Sequence, residues 1–193
     1  MDENDRARVP ESGWLSYLDG NNPGYPVDAL RQDFEALRGK MEAMRSDTTT
    51  PDTRMSDDMN EINPAITGTL TQLMLGGLPT GRVGYPLHCR LRYFDPERRR
   101  AGVPEDVAAL VQGMTQDEVT VTFVNLNLVK SRKMIVQGGA YAEHQIISAS
   151  VDGVDTLVNH SHFAVTIEPG CGSRVVIKMQ RYANQPTMAF PWV

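Results

Sequence analysis

Asn159-His160-Ser161-His162 places two imidazoles two residues apart. On a β-strand such neighbours share a face, which is the geometry a histidine pair needs to hold a metal ion. A third ligand would have to come from His144, Glu143 or His88. The same four residues also read as a polar turn leading into a strand, and the expectation is that no metal and no cofactor is bound. Glu143-His144 is the second suggestive pair. A carboxylate and an imidazole can do general acid–base work within about 3 Å of the proton they move. Convergence of His88, Glu143, His144 and His162 on one sheet face would make a site for a sugar or another small polar ligand. Arg90 and Arg92, followed by Arg98-Arg99-Arg100, are the candidates for holding an anion or a carboxylate-rich surface. A solvated basic face is the plainer reading of those arginines.

Other motifs exclude chemistry. Cys89 follows His88, but strand neighbours point to opposite faces, so the two cannot act as nucleophile and base. Cys171 lies in Pro169-Gly170-Cys171-Gly172, a turn signal without the serine of a nucleophile elbow. The two cysteines fit no zinc spacing. Gly76-Gly77-Leu78-Pro79-Thr80-Gly81 follows a predicted helix, whereas phosphate loops precede one. Asp47, Asp52, Asp57, Asp58 and Glu61 lack the alternate acids and central glycine of a calcium loop.

Composition narrows the class further. The chain has 193 residues, 40% hydrophobic and 22% charged, with a formal net charge of −5. That is globular composition, large enough to bury a core without covalent staples. No basic stripe of the kind that binds nucleic-acid phosphates is present. No apolar run is long enough to span a membrane. The acidic start, Met1-Asp2-Glu3-Asn4-Asp5, reads as neither a secretory nor a transit peptide. A cytoplasmic protein with free thiols is expected, with neither nucleic acid nor membrane among its partners.

The elements that must position these residues fall into three parts. Residues 1–25 read as an extended arm, although Trp14, Leu15, Tyr17 and Leu18 are too apolar to leave in water and must dock on something. Residues 26–112 read as a helical segment with one strand. Leu30, Phe34, Leu37, Met41 and Met44 form one apolar stripe of a helix over 26–45, with Pro26 in its first turn and Asp28 near its N-terminus. A loop over 46–63 leads to Asn63-Pro64, which predicts the start of a second helix stopped at Gly76-Gly77. Leu87–Phe94 alternates as a strand, and Pro104-Glu105-Asp106 predicts a short helix through Val111. Residues 113–193 read as a β-sandwich module with a docking tail. Its strands are Val119–Leu126, Arg132–Gln137, His144–Val151, Asp155–Val158, Phe163–Glu168 and Arg174–Arg181, and Asp152-Gly153 marks a two-residue hairpin. No internal repeat is read from the chain. The fold class is therefore mainly β, an antiparallel sandwich preceded by a small helical segment.

Val119-Thr120-Val121-Thr122-Phe123-Val124-Asn125-Leu126-Asn127 and Phe163-Ala164-Val165-Thr166-Ile167-Glu168-Pro169-Gly170 resemble the opening and closing strands of a known module. It is the C-terminal β-sandwich that follows the α/α barrel in bacterial carbohydrate-active enzymes, and the resemblance covers about residues 119–181. It implies that the preceding helices correspond to the last helices of such a barrel. It transfers no catalytic residue. A chain that begins with its own methionine and has no room for a barrel is expected to be a separate small subunit, or a fragment, of a larger assembly.

Two functions follow. The first is a non-catalytic accessory or structural subunit that packs against a larger catalytic partner or against itself, through Trp14, Tyr17, Phe34, Met41, Phe190 and Trp192. The second is a subunit of a carbohydrate-active or lyase-type enzyme that contributes histidine and glutamate side chains to a polar site.

Overall fold

The computed structural model describes residues 10–50, 52–53, 63–78, 86–151 and 153–192. Three helices come first: α1 (Pro10–Leu18), α2 (Tyr25–Ser46) and α3 (Gly68–Leu75). The strands follow as β1 (Leu91–Asp95), β2 (Arg100–Ala101), β3 (Val107–Met114), β4 (Glu118–Asn125), β5 (Arg132–Gly138), β6 (Gln145–Val151), β7 (Val154–His160), β8 (His162–Ile167) and β9 (Gly172–Gln180). They form two antiparallel sheets, in the orders β2-β1-β5-β8 and β3-β4-β9-β6-β7.

Alternation along the strands builds the core between these sheets. Val119, Val121 and Phe123 of β4 are fully buried, as are Val175 and Ile177 of β9 and Val111 of β3. From the other sheet come Leu91 and Tyr93 of β1, Met134 and Val136 of β5, and Ile167 of β8, all in one apolar cluster. Each such side chain contributes about 1.5–3 kcal/mol by leaving water. The expected β-sandwich is the architecture observed. The two-residue hairpin also forms, with Val151 paired to Val154 across it and Gly153 at φ 83°.

The sandwich starts earlier than residue 113. β1, β2 and β3 belong to its two sheets, so residues 26–112 are not a helical segment with a single strand. The helix expected after Pro104 is strand β3, paired with β4 from Val107↔Asn125 to Met114↔Val119. Asp106 takes the left-handed conformation at φ 65°, which breaks a helix at its first turn. Val107, Ala109 and Val111 then alternate into the core, so the period of two prevails over the helical start signal.

The front of the chain differs as well. Residues 10–18 are helical, not extended, while residues 1–9 lie outside the described part. Trp14, Tyr17 and Leu18 share one helical face. Trp14 is buried in the chain's own core, stacked on Tyr17 at 5.6 Å and tilted against Tyr25 at 6.3 Å. α2 has its proline at the start and Asp28 in the first turn, as its sequence predicts. α3 begins at Gly68, four residues after Pro64. Asn63 does accept a local bond, from Ala65 N–H at 2.9 Å, but its carbonyl is held by Lys40 Nζ at 3.0 Å. Residues 63–67 stay outside the helix, tied to α2 by this bond and bordering a groove with it through Pro64 and Ile66. At its other end α3 stops at Gly76, whose φ of 60° and 2.7 Å Cβ clearance to Met114 Sδ admit only glycine without rearrangement.

The C-terminal tail docks on its own body. Phe190 and Trp192 stack at 4.9 Å, and both meet the ring of Phe94 edge-on, at 6.0 and 5.6 Å. Phe94 lies on the sheet face away from the core, and the tail covers it. Among the described residues no helix is long and apolar enough to cross a membrane.

Trp14 ties α1 to the sandwich, so Trp14→Ala is expected to cost about 3–5 kcal/mol. Trp192, half-buried at the edge of the tail, is expected to cost less when truncated. Urea unfolding of the two variants checks the order; a smaller effect at Trp14 than at Trp192 would contradict it.

Candidate functional site

Three groups of polar residues and one apolar face were candidates. The structure treats them differently.

Glu143 and His144 lie in the turn between β5 and β6, and both are buried. The Glu143 carboxylate accepts from the backbone N–H of Tyr141 at 2.7 Å and of Ala140 at 3.3 Å. It closes its own loop in this way. Gly139, at φ 83°, has no side chain because a Cβ there would strike that carboxylate. His144 Nδ1 accepts from the backbone N–H of Tyr182 at 3.1 Å, with the two rings edge-to-face at 4.8 Å. An accepting Nδ1 means a neutral ring protonated on Nε2. His88 joins the same group, its Nε2 lying 3.1 Å from the Tyr182 hydroxyl. Thus His88 and His144 do converge, but on Tyr182, the residue that starts the C-terminal tail. Tyr182 itself is held at φ 54°, and Arg181 lies over its ring at 5.2 Å. The tail is pinned again by Asn184 N–H to Glu143 C=O at 3.2 Å and Thr187 N–H to Tyr141 C=O at 2.8 Å. This cluster holds the tail: Glu143 and His144 bond to protein backbone, while His88 and Tyr182 meet through exposed side chains.

His160 and His162 are not on one strand. His160 ends β7 in one sheet, His162 opens β8 in the other, and Ser161 sits at the corner. The corner brings the rings together all the same, edge-to-face at 4.4 Å, with Ser161 Oγ 3.2 Å from His162 Nδ1. Among the described residues no group of three His, Cys, Asp or Glu side chains is placed to share a metal. A polar recess of about 220 Å³ opens beside His160, lined also by Gln145, Asn159, Ser161, Asn184 and Thr187. Of the acidic loop, Asp47 accepts from Thr49 N–H at 2.9 Å and closes a turn; Asp57, Asp58 and Glu61 lie outside the described residues.

The arginines are braces. Arg90 donates to the carbonyls of Gln116 at 3.0 Å and Thr115 at 3.2 Å, and so holds the turn between β3 and β4. Arg92 donates to the Ala140 carbonyl at 2.7 Å and lies over the Phe94 ring at 5.1 Å. In the basic run, Arg98 pairs with Glu105 and Arg100 with Asp95. Arg90 thus spends both ends of its fork on the chain's own carbonyls, and Arg92 spends one.

The fourth candidate is α2. Of its 22 residues only Ala29 is buried. Val27, Phe34, Met41 and Met44 are exposed to 52, 59, 39 and 46%. Leu30, Phe34 and Leu37 form an apolar groove of about 200 Å³ together with Pro64, Ile66 and Leu70. A cleft of about 610 Å³ runs along Arg38, Met41, Glu42 and Arg45 farther down the helix. Thus Phe34 and Met41 lie at the surface, while Trp14, Phe190 and Trp192 are used within the chain and Tyr17 packs against the core. The helix also holds a repeat that a search for domain-length periods misses. Val27-Asp28-Ala29-Leu30-Arg31, Phe34-Glu35-Ala36-Leu37-Arg38 and Met41-Glu42-Ala43-Met44-Arg45 are one five-residue block recurring every seven residues. Seven-residue spacing is the signature of a helix whose stripe meets another helix.

Fold and surface together define a two-sheet antiparallel β-sandwich that carries an amphipathic helix with a largely uncovered apolar stripe. In sequence, a family model described as a domain of unknown function, DUF8034, matches residues 3–71. The matched span contains α1, α2 and the start of α3 and ends before the first strand. No curated protein and no solved structure matches the chain.

Burial pushes the Cys89 thiol up to about 12, and the nearby Glu143 carboxylate adds to this. Cys171 is exposed. A disulfide reagent is therefore expected to modify one thiol per native chain and the second only in denaturant; two fast thiols in the native protein would refute the burial of Cys89.

Burial also holds His144 below its ordinary value of 6.5, against the opposing pull of Glu143 and with Arg181 and Arg90 disfavouring the charge. His162 is lowered too, by burial and by His160. As pH falls through about 6.5 the unfolded chain takes up protons that the folded chain refuses, so stability is expected to fall on acidification. His144→Asn keeps an acceptor for Tyr182 N–H and removes the titration. Urea midpoints followed from about pH 7.5 to about pH 5 should fall less steeply in this variant than in the wild type; equal slopes would remove His144 from the linkage.

Proposed function

We propose that this chain is a non-catalytic assembly module, in which the β-sandwich anchors α2 and the apolar stripe of α2 is the docking element for a larger catalytic partner or a further copy of the chain. The observation that carries the reading is the stripe itself: a helix of 22 residues with Ala29 alone buried and with Phe34, Met41 and Met44 in water. Leaving such groups solvated forgoes about 1.5–3 kcal/mol for each side chain that a partner would bury. A contiguous apolar surface of this kind marks an interaction site. The match of residues 3–71 to a family model supports the same emphasis, because it takes in α2 and none of the strands. The resemblance of residues 119–181 to the sandwich of carbohydrate-active enzymes is compatible with a large catalytic partner. An enzymatic reading has less support, because Glu143 and His144 bond to the chain's own backbone and are closed off from a substrate.

A docking face and a core face respond differently to charge. Phe34→Glu with Met41→Glu is expected to change the free energy of unfolding by no more than about 0.5 kcal/mol each, as for surface positions, and to abolish binding of an apolar fluorescent dye by the native protein. A loss of several kcal/mol in urea would show that the stripe is part of this chain's own core and would end the proposal.

A further inference from the structure

We infer that the polar recess beside His160 is a binding site for an uncharged, hydroxyl-rich ring, a sugar unit or a cyclic polyol. This role is separate from that of α2, because the recess belongs to the sandwich and its tail. Three distant segments of the chain meet there: the start of β6 with the turn before it, the corner between β7 and β8, and the tail. They bring together four carboxamides, those of Gln145, Asn159, Asn184 and Gln185. The hydroxyls of Ser161 and Thr187 and the imidazole of His160 complete the polar wall. No carboxylate, ammonium or guanidinium is among the described residues that line it, so a charged ligand finds no counter-charge. Ala142 is the one apolar residue in that lining, so an apolar ligand gains little there.

Unspent hydrogen bonds narrow the ligand further. Among the described residues, the side chains of Gln145, Asn159 and Gln185 bond to no other group of the chain. Asn184 spends its Nδ2 on the Ala142 carbonyl at 3.1 Å and keeps its oxygen. His160 Nδ1 accepts from His162 N–H at 3.4 Å, which leaves Nε2–H as a donor. A hydroxyl both donates and accepts, and a carboxamide answers both from one side chain. Several carboxamides around one recess therefore match neighbouring hydroxyls better than a lone donor or acceptor. Volume sets the size. At about 220 Å³ the recess is smaller than the roughly 300–1,000 Å³ of sites for drug-sized ligands, so it takes one ring.

The recess is built without a ligand. Ser161 C=O accepts from Gly138 N–H at 2.8 Å, and Thr187 N–H donates to Tyr141 C=O at 2.8 Å. The corner and the tail are thereby both tied to the end of β5 and the turn after it. Two lining residues other than glycine take left-handed backbone, Ala142 at φ 60° and Asn159 at φ 46°. Asparagine tolerates this conformation, whereas alanine adopts it rarely. β6 also shifts register between Ile146 and Ser148, directly after Gln145. Strained backbone and bulges both concentrate beside ligand sites.

The test follows the side-chain amide signals of the full, isotope-labelled chain by NMR while glucose, galactose, mannose, xylose and myo-inositol are added singly. At least one should shift Gln145, Asn159 and Gln185 saturably, with a dissociation constant on the order of 1 mM for a single ring. Gln32, exposed on α2, should stay still. Asn159→Gly removes one carboxamide and suits the left-handed backbone, and Gln185→Ala removes another that has no partner in the chain. Together they should weaken binding about 10-fold or more at an unchanged urea midpoint. If the pair lowers the midpoint, Gln185→Ala alone carries the comparison. Failure of every probe to shift these amides overturns the inference. Binding that survives the substitutions places the ligand elsewhere and overturns it as well. Saturable shifts with acetamide, acetate or inorganic phosphate, and none with the ring probes, overturn the ligand class. None of these outcomes bears on the docking role of α2.

Discussion

Tyr93 is the point on which the two halves of this molecule depend. Its ring meets Phe123 edge-on at 5.7 Å and so joins the two sheets, while its hydroxyl donates to the Met74 carbonyl at 2.7 Å. A hydroxyl buried without a partner would cost several kcal/mol. The last turn of α3 is therefore fixed against β1, and Arg90 N–H to the Leu75 carbonyl, at 3.1 Å, continues the seam. Through α3 the constraint passes to the other helices, since Gln72 Oε1 accepts from the Tyr25 hydroxyl at 2.9 Å at the start of α2. The sandwich thus decides where α2 is anchored, although α2 contributes little to the core itself.

The polar residues that looked chemical mostly join one piece of backbone to another. Asn125 shows the same economy at the opposite end of the fold: buried, it donates to the carbonyls of Lys130 at 2.8 Å and Ile167 at 3.1 Å and ties the two sheets. Asn127 follows, accepting from Val129 and Lys130 and donating to Asp106. The strand pattern that resembles a carbohydrate-active module is accordingly a device for closing a sandwich, and its asparagines belong to that device. Glu143, His144 and Arg92 do equivalent work around the tail. Buried polar groups need partners, and in a loop-rich sandwich the nearest partners are backbone amides and carbonyls.

Against this, α2 is an element made regular by sequence and left open by packing. Its heptad blocks put acid, alanine and arginine at fixed places beside the stripe, and its surface neutralises itself along the helix. A helix that only capped the sandwich would not need an apolar stripe continuing through Met41 and Met44, past the region where it meets α3 and residues 63–67.

Sequence by itself determined the strands from Val119 onward, the hairpin at Gly153, the bounds of α2 and the sandwich class, because period-two burial and glycine turns are local signals. It also contained the heptad of α2, visible only at a period shorter than that of a domain repeat. Only tertiary structure decided that β3 is a strand, since its alternation competes with a proline start signal and is settled by pairing to β4. Likewise, only the fold could show that Trp14 and Trp192 are covered within the chain while Phe34 stays largely exposed. Burial of an apolar residue depends on what lies opposite it in space, and helical spacing records which face a residue occupies but not what covers that face.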